Sequence, residues 1–343
     1  MRGLRVACFI FSIIVLLGVF SWCLAPRDLT QATNVTYPDG QGFNGVKENT
    51  IDVYAAGNSD IYCGFSPAVL WKEHGYSSYV SGEPKQNIAG TYADLKILLK
   101  TQHPKVMILD IDELWSGSAQ LSTFLRKYLI RFLPAVNYHC NWKHFSLKKI
   151  FTSAPVKYAS PTMGQKLSNI KQPLISKRGH HKDKKISLKS MRFLNKTVKL
   201  CKENNIKLIF VEIPSDGTVT KGDMKEIKAY ASDNGIPFYN MNDYNDQTGF
   251  SWQTDSCDGG YHLNVSGASK MTEWLGNKLT SYKLTDHRGD SDYSQWDDAL
   301  SEVESYQFSN SDKNCMSCTS NARPSRYESR QSSSLMSKTS LYE

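Results

Sequence analysis

The chain has 343 residues, 40% of them hydrophobic and 22% charged, with 41 Lys and Arg against 33 Asp and Glu. That is enough apolar material for one large domain, or two small ones, with a real core. The net charge of +8 suits anionic surfaces, but no zinc-finger spacing, Arg-rich helix or RNA-binding aromatic motif accompanies it, which argues against a nucleic-acid partner.

Arg2 and Arg5 precede an apolar run, Val6 to Leu24, that contains no Lys, Arg, Asp or Glu and ends at Pro26-Arg27-Asp28. The run is about long enough to cross a bilayer as a helix, and no small-x-small cleavage site follows it. The reading adopted is an uncleaved signal anchor over residues 1–25; a cleaved signal peptide competes with it. The two arginines would stay in the cytoplasm, so the protein would sit in the cell membrane as a single-pass chain with an extracytoplasmic globular domain. Of eight cysteines, Cys8 and Cys23 fall in the anchor, and the other six would meet an oxidising compartment. Cys315-Met-Ser-Cys318 has metal-like spacing but no second pair, so no metal site is expected.

Residues 26–49 are polar and read as a linker. Ile51 to Ala56 is a short strand running into Gly57-Asn58-Ser59-Asp60. Ser66-Pro67 opens a helix. Tyr92, Leu95, Leu98 and Leu99 keep helical spacing up to His103-Pro104, and Val106 to Ile111 is a buried parallel-type strand. A basic, aromatic section of about residues 116–185 reads as an insertion, ending in the tract Lys177 to Lys185; that tract is a solvated loop or an anionic-polymer steering patch. Ser187–Asn204 is a helix, Lys207–Ile213 a strand, Met224–Asn234 a helix with Gly235 in the C-cap role, and Pro237–Asn240 a short strand. After the loop that carries Asp258 and His262, Ser266–Leu279 forms a helix. Strands alternate with helices, so the expected fold is an α/β, three-layer α/β/α sandwich with a mainly parallel sheet over residues 50–284. From about 285 to 343 the composition turns polar and apolar periodicity fades, which reads as a disordered tail.

The chemistry concentrates in two places. A serine hydroxyl needs a neighbouring base, and the base an orienting acid. Ser59 follows a strand and a glycine, at the carboxyl edge where open α/β sheets bind ligands. His262 and Asp258 share one loop 200 residues later, and Asp255 is a second candidate acid. These are the parts of a Ser-His-Asp nucleophilic site, which is recognised by roles rather than by chain order. No cofactor is implied.

Gly57-Asn58-Ser59-Asp60, Ser81-Gly82, and Asp258 with His262-Leu263-Asn264 and Gly267 together resemble the SGNH/GDSL hydrolases over roughly residues 50 to 282. The likeness is closest to the membrane-anchored extracytoplasmic branch, which includes proteins of alginate O-acetylation and lipoteichoic-acid D-alanylation. Tyr138-His139-x-x-Trp142 resembles a motif in the insertion of that branch. The family spaces its acid and base as Asp-x-x-His, whereas three residues separate Asp258 from His262. The resemblance implies a flavodoxin-like sheet and Ser59, His262 and Asp258 as the catalytic set, with the N–H groups of Ser59 and Gly82 forming the oxyanion hole. Asp112 falls near the position of the usual oxyanion-hole Asn; either Asn87 or the Ser59 N–H serves instead, or Asp112 points elsewhere. His139 and Trp142 are candidate sugar-binding residues. The implied activity is an esterase or O-acyltransferase acting on an acylated cell-envelope polysaccharide beside a membrane-bound O-acyltransferase. A non-catalytic envelope protein of the same fold, binding polymer or that partner, is the competing class. A disulfide between Cys63 and Cys257 would fix the Ser59 turn against the His262 loop.

Overall fold

The computed structural model describes residues 2–27, 42–117, 119–132, 135, 139–144, 146–155, 159–174, 183–216 and 219–311. Linker residues 28–41, Tyr138, residues 177–182 of the basic tract, Cys315 and Cys318, and the tail from 312 lie outside the described residues, as do the side chains of His139 and Cys140. Met1–Tyr306 form one compact unit, and Gln307–Glu343 a second of which 307–311 are described.

In chain order the helices and strands are α1 (Arg2–Leu24), β1 (Val53–Gly57), α2 (Ser59–Gly64), α3 (Pro67–His74), β2 (Ser78–Gly82), α4 (Ile88–Leu98), β3 (Val106–Asp110), α5 (Gln120–Phe132), α6 (Leu147–Thr152), α7 (Leu188–Glu203), β4 (Lys207–Glu212), α8 (Lys221–Asn234), β5 (Phe238–Asn240), α9 (Asn245–Thr248), α10 (Val265–Leu279) and α11 (Ser294–Ser311). All four strand pairings are parallel, in the order β2-β1-β3-β4-β5. The alternating strand and helix pattern in the sequence is therefore realised as an α/β sheet covered on both faces.

Side-chain alternation along each strand builds the two cores. Tyr54, Ala56, Met107, Leu109, Leu208 and Phe210 face one layer, with Ile88, Leu95 and Leu98 of α4, Leu194 and Val198 of α7, and Ile227 of α8. Val53, Ala55, Val106, Ile108, Ile209 and Val211 face the other, with Ile61 of α2, Leu70 of α3, and Met271, Leu275 and Leu279 of α10. Local signals set the boundaries: Ser66 caps α3 ahead of Pro67, Thr220 and Asp223 form a capping box on α8, and Gly235 closes α8 in the left-handed region.

Three stretches differ from the sequence reading. Residues 42–49, expected to belong to the linker, reach the core: Phe43 and Val46 are buried, and the Phe43 ring meets Tyr54 and Tyr79 edge-on. β2 was not anticipated as a strand, because Ser-Tyr-Val-Ser-Gly mixes small polar and large residues, yet all five positions are buried. Residues 285–306, expected to belong to a structureless tail, instead pack against the domain. Trp296, Ala299 and Val303 recur on one face of α11 and are buried, and Trp296 Nε1 donates to Ser78 O at 2.8 Å. Three apolar residues at helical spacing suffice when one is a tryptophan.

α1 is long and apolar enough to cross a membrane. Within Gly3–Leu24 its most apolar 18 residues have a mean hydropathy of 2.6, and the large apolar side chains from Leu4 to Trp22 are exposed.

Candidate active site

The strand order reverses between β1 and β3, so the loops after these two strands diverge and open a crevice at the carboxyl edge. Ser59 lies on one wall as the first residue of α2. The preceding Asn58 is buried and its amide works at both ends: Oδ1 accepts from Asp60 N at 2.8 Å, capping α2, and Nδ2 donates to Asp112 Oδ2 at 2.5 Å. Asp112 belongs to the 3-10 turn that follows β3. One side chain thus ties the Ser59 turn to the opposite wall, and the Asp112 carboxylate accepts from Asn58.

Gly82 ends β2 opposite Gly57. A Cβ on Gly82 would lie 2.8 Å from the carbonyl oxygens of both Gly57 and Asn58, so only glycine lets the two chain ends approach beside Ser59. Tyr62, one turn along α2, is buried. Burial chiefly drives its phenol pKa up, and a hydrogen bond with the Ser59 side chain opposes the rise.

The base and acid occupy a tight turn. Ser256 bridges Leu263, and Cys257 N donates to His262 O at 3.0 Å, closing the base of the loop. Gly259 and Gly260 take φ values of 77° and 104°, in the left-handed region that favours glycine. This reversal turns Asp258 back on the residues that follow it. Asp258 Oδ1 accepts from Tyr261 N at 3.1 Å and His262 N at 2.8 Å, and Oδ2 lies 2.5 Å from His262 Nδ1. The spacing of three intervening residues is therefore fully compatible with an acid–base contact, because two glycines absorb the extra length. Burial pushes the Asp258 carboxyl up, but the hydrogen bonds from the His262 ring and backbone outweigh it and hold the group below its ordinary range. An ionised carboxylate only accepts, so Nδ1 carries a proton, and in the neutral tautomer this leaves the lone pair on Nε2.

Nε2 points toward the Ser59 turn: its distance to Asp60 Oδ1 is 3.8 Å. Among the described residues no hydrogen bond joins Ser59 Oγ to Nε2. Asp60 itself is buried, and burial first, then the facing carboxylates of Asp112, Asp110 and Asp258, raise its pKa well above the usual range.

Asp60 is part of a nest of buried acids that lie far apart along the chain. Asp110 at the end of β3 and Glu212 at the end of β4 are raised in the same way, by burial and then by one another's neighbours. Glu113 accepts from Thr91 Oγ1 at 2.5 Å, and burial pushes it up to about 8 from 4.5. A carboxyl raised on folding favours the folded state while it stays protonated. Its contribution is complete below pH 4.5 and is lost as pH rises toward 8. Glu113→Gln is expected to flatten this part of the stability profile, removing a decline of about a few kcal/mol between those limits. Chemical denaturation across pH measures it; an unchanged slope would show that Glu113 does not carry the effect.

The remaining anticipated residues have definite places. Asp255 is buried and bound by Lys270 Nζ, Ser251 N and Ser266 Oγ, each at 2.8 Å, so it pins the loop to α10 and does not meet His262. Asn87 caps α4 through Gly90 N and donates to Thr123 Oγ1 at 3.2 Å, which engages both ends of its amide. Trp142 lies exposed on a 3-10 turn, His139–His144, that packs against α1. Cys63 and Cys257 are free thiols and not the expected disulfide. Burial pushes the Cys257 thiol up to about 11. Among the described residues no group of three or more His, Cys, Asp or Glu could hold a metal ion.

Sequence reasoning found Ser59, His262 and Asp258 but not Asp60, Tyr62 or the acids at the strand ends. No protein-family model matches this chain, and no curated protein matches it either.

Proposed function

We propose that this protein is an SGNH-type serine esterase or O-acyltransferase whose nucleophile is Ser59, base His262 and orienting acid Asp258. The observation that carries the reading is the Asp258–His262 contact of 2.5 Å, held at the carboxyl edge with Nε2 turned toward the Ser59 turn. In the proposed reaction Ser59 Oγ bonds to the carbonyl carbon of an ester as His262 Nε2 takes its proton. The Ser59 and Gly82 N–H groups receive the oxyanion. The carbon–oxygen bond to the leaving alcohol then breaks, and His262 returns the proton to that alcohol. The acyl group left on Ser59 passes to water or to a sugar hydroxyl, whose proton goes to His262 and then back to Ser59.

α1 supports placing the domain beside a membrane, and Arg2 and Arg5 support an extracytoplasmic orientation. An acylated cell-envelope polysaccharide is then the proposed substrate or acceptor, with a membrane-bound O-acyltransferase as partner.

A second reading, a non-catalytic protein of the same fold that binds such a polymer or partner, is favoured by the missing hydrogen bond, among the described residues, between Ser59 Oγ and His262 Nε2, which lies 3.8 Å from Asp60 Oδ1. A fluorophosphonate probe separates the two. The enzyme reading expects covalent labelling of the folded protein that disappears in Ser59→Ala. A folded wild type that takes no label supports the binding protein.

A further inference from the structure

Part of the section between α5 and α7 is built against the end of α1. Arg27 is the connector. Its Nη1 donates to Ser153 O at 2.7 Å, its Nη2 to Trp22 O at 2.9 Å, and its guanidinium lies 5.0 Å from the Trp22 ring centre. Asn141 Nδ2 donates to Leu24 O at 3.2 Å, and the Phe151 ring meets the Trp22 ring edge-on at 5.9 Å. The last turn of α1 and the segment 141–153 are therefore at one level.

That segment exposes apolar side chains that a water-facing surface would not need. Phe151 is 78% exposed, Leu147 64% and Trp142 64%. Leu147 and Phe151 are four apart and share a face of α6, while Ile150 on the same helix is buried. Lys148 and Lys149 flank this face exposed, and Lys143 Nζ stands 6.0 Å from the Trp142 ring. An aromatic and aliphatic edge ringed by lysines is the composition that settles at the boundary between acyl chains and anionic headgroups.

We propose that Trp142, Leu147 and Phe151 dip into the lipid–water interface of the leaflet that α1 leaves, with Lys143, Lys148 and Lys149 on its anionic headgroups. The occupant is the bilayer surface itself, continuous with the span of α1. The domain is then held at a fixed height and tilt and does not swing on a tether. This rests on α1 spanning the membrane.

The test uses the full chain in vesicles of phosphatidylcholine and phosphatidylglycerol, with ordinary or brominated acyl chains. Trp22→Phe and Trp142→Phe assign the quenched tryptophan emission by difference. The expected result is that Trp22 and Trp142 are both quenched, Trp142 by about half or more. Phe151→Asp combined with Lys148→Glu and Lys149→Glu, all exposed, removes the Trp142 quenching and leaves that of Trp22. Quenched Trp22 with unquenched Trp142 overturns the proposal and leaves the patch to a protein partner. Unquenched Trp22 overturns the membrane span beneath it.

Discussion

Asp258→Asn is expected to lower kcat on an activated ester by about four orders of magnitude while leaving the fold intact. The reason lies in the tautomer. Asp258 Oδ2 sits 2.5 Å from His262 Nδ1 and, as a carboxylate, only accepts. An amide there can donate its N–H to Nδ1, which moves the ring proton to Nε2 and removes the lone pair that must receive the Ser59 proton. The backbone bonds from Tyr261 and His262 still find an acceptor oxygen in Asn, so the loop keeps its shape. Asp255→Asn is the control. It weakens a buried contact with Lys270 and is expected to reduce thermal stability with kcat changed far less. Stopped assays on both variants, with circular dichroism for folding, decide between them; equal losses of kcat would mean that Asp258 does not orient the base.

Trp296→Ala is expected to lower the unfolding free energy by about 3–5 kcal/mol. The side chain is fully buried, lies tilted against Trp71 at 6.1 Å and Tyr293 at 5.7 Å, and donates to Ser78 O. The substitution leaves a cavity under β2 and a buried carbonyl without its donor, and both effects add. β2 is the edge strand that positions Gly82, so a loosened α11 also reaches the site. Urea unfolding reads the loss. A change below about 1 kcal/mol would show that α11 contributes little to the domain.

The two results bear on how much of this molecule was legible in its sequence. β1, β3 and β4 were readable because strands buried on both faces run nearly unbroken in Val, Ile, Leu and Ala. The helix limits near Ser66 and Gly235 were readable because caps use few residue types. β2 was not, since its serines are buried by pairing and covering and not by their own apolarity. α11 was hidden for the opposite reason: three apolar positions carry it through a polar background. At the site, Asp258 and His262 could be paired because they share a loop. The distance between them could not be judged, as it depends on the backbone reversal at Gly259 and Gly260. Asp60, Asp110 and Glu212 looked like unrelated acids because only the parallel register brings the ends of β1, β3 and β4 side by side.

The strand order has a further consequence for how the protein comes into being. Ser59 follows the first strand, and His262 precedes the helix that packs on α2 and α3 from the far end of the sequence. Contacts of such separation close late in folding, because the long intervening chain must be ordered first. A ribosome would release Ser59 into a nascent chain well before His262 existed, and α10 must dock before the two meet. On the proposed reading, reactivity at Ser59 is a late-acquired property, and a covalent label there would count finished molecules and pass over those still being made.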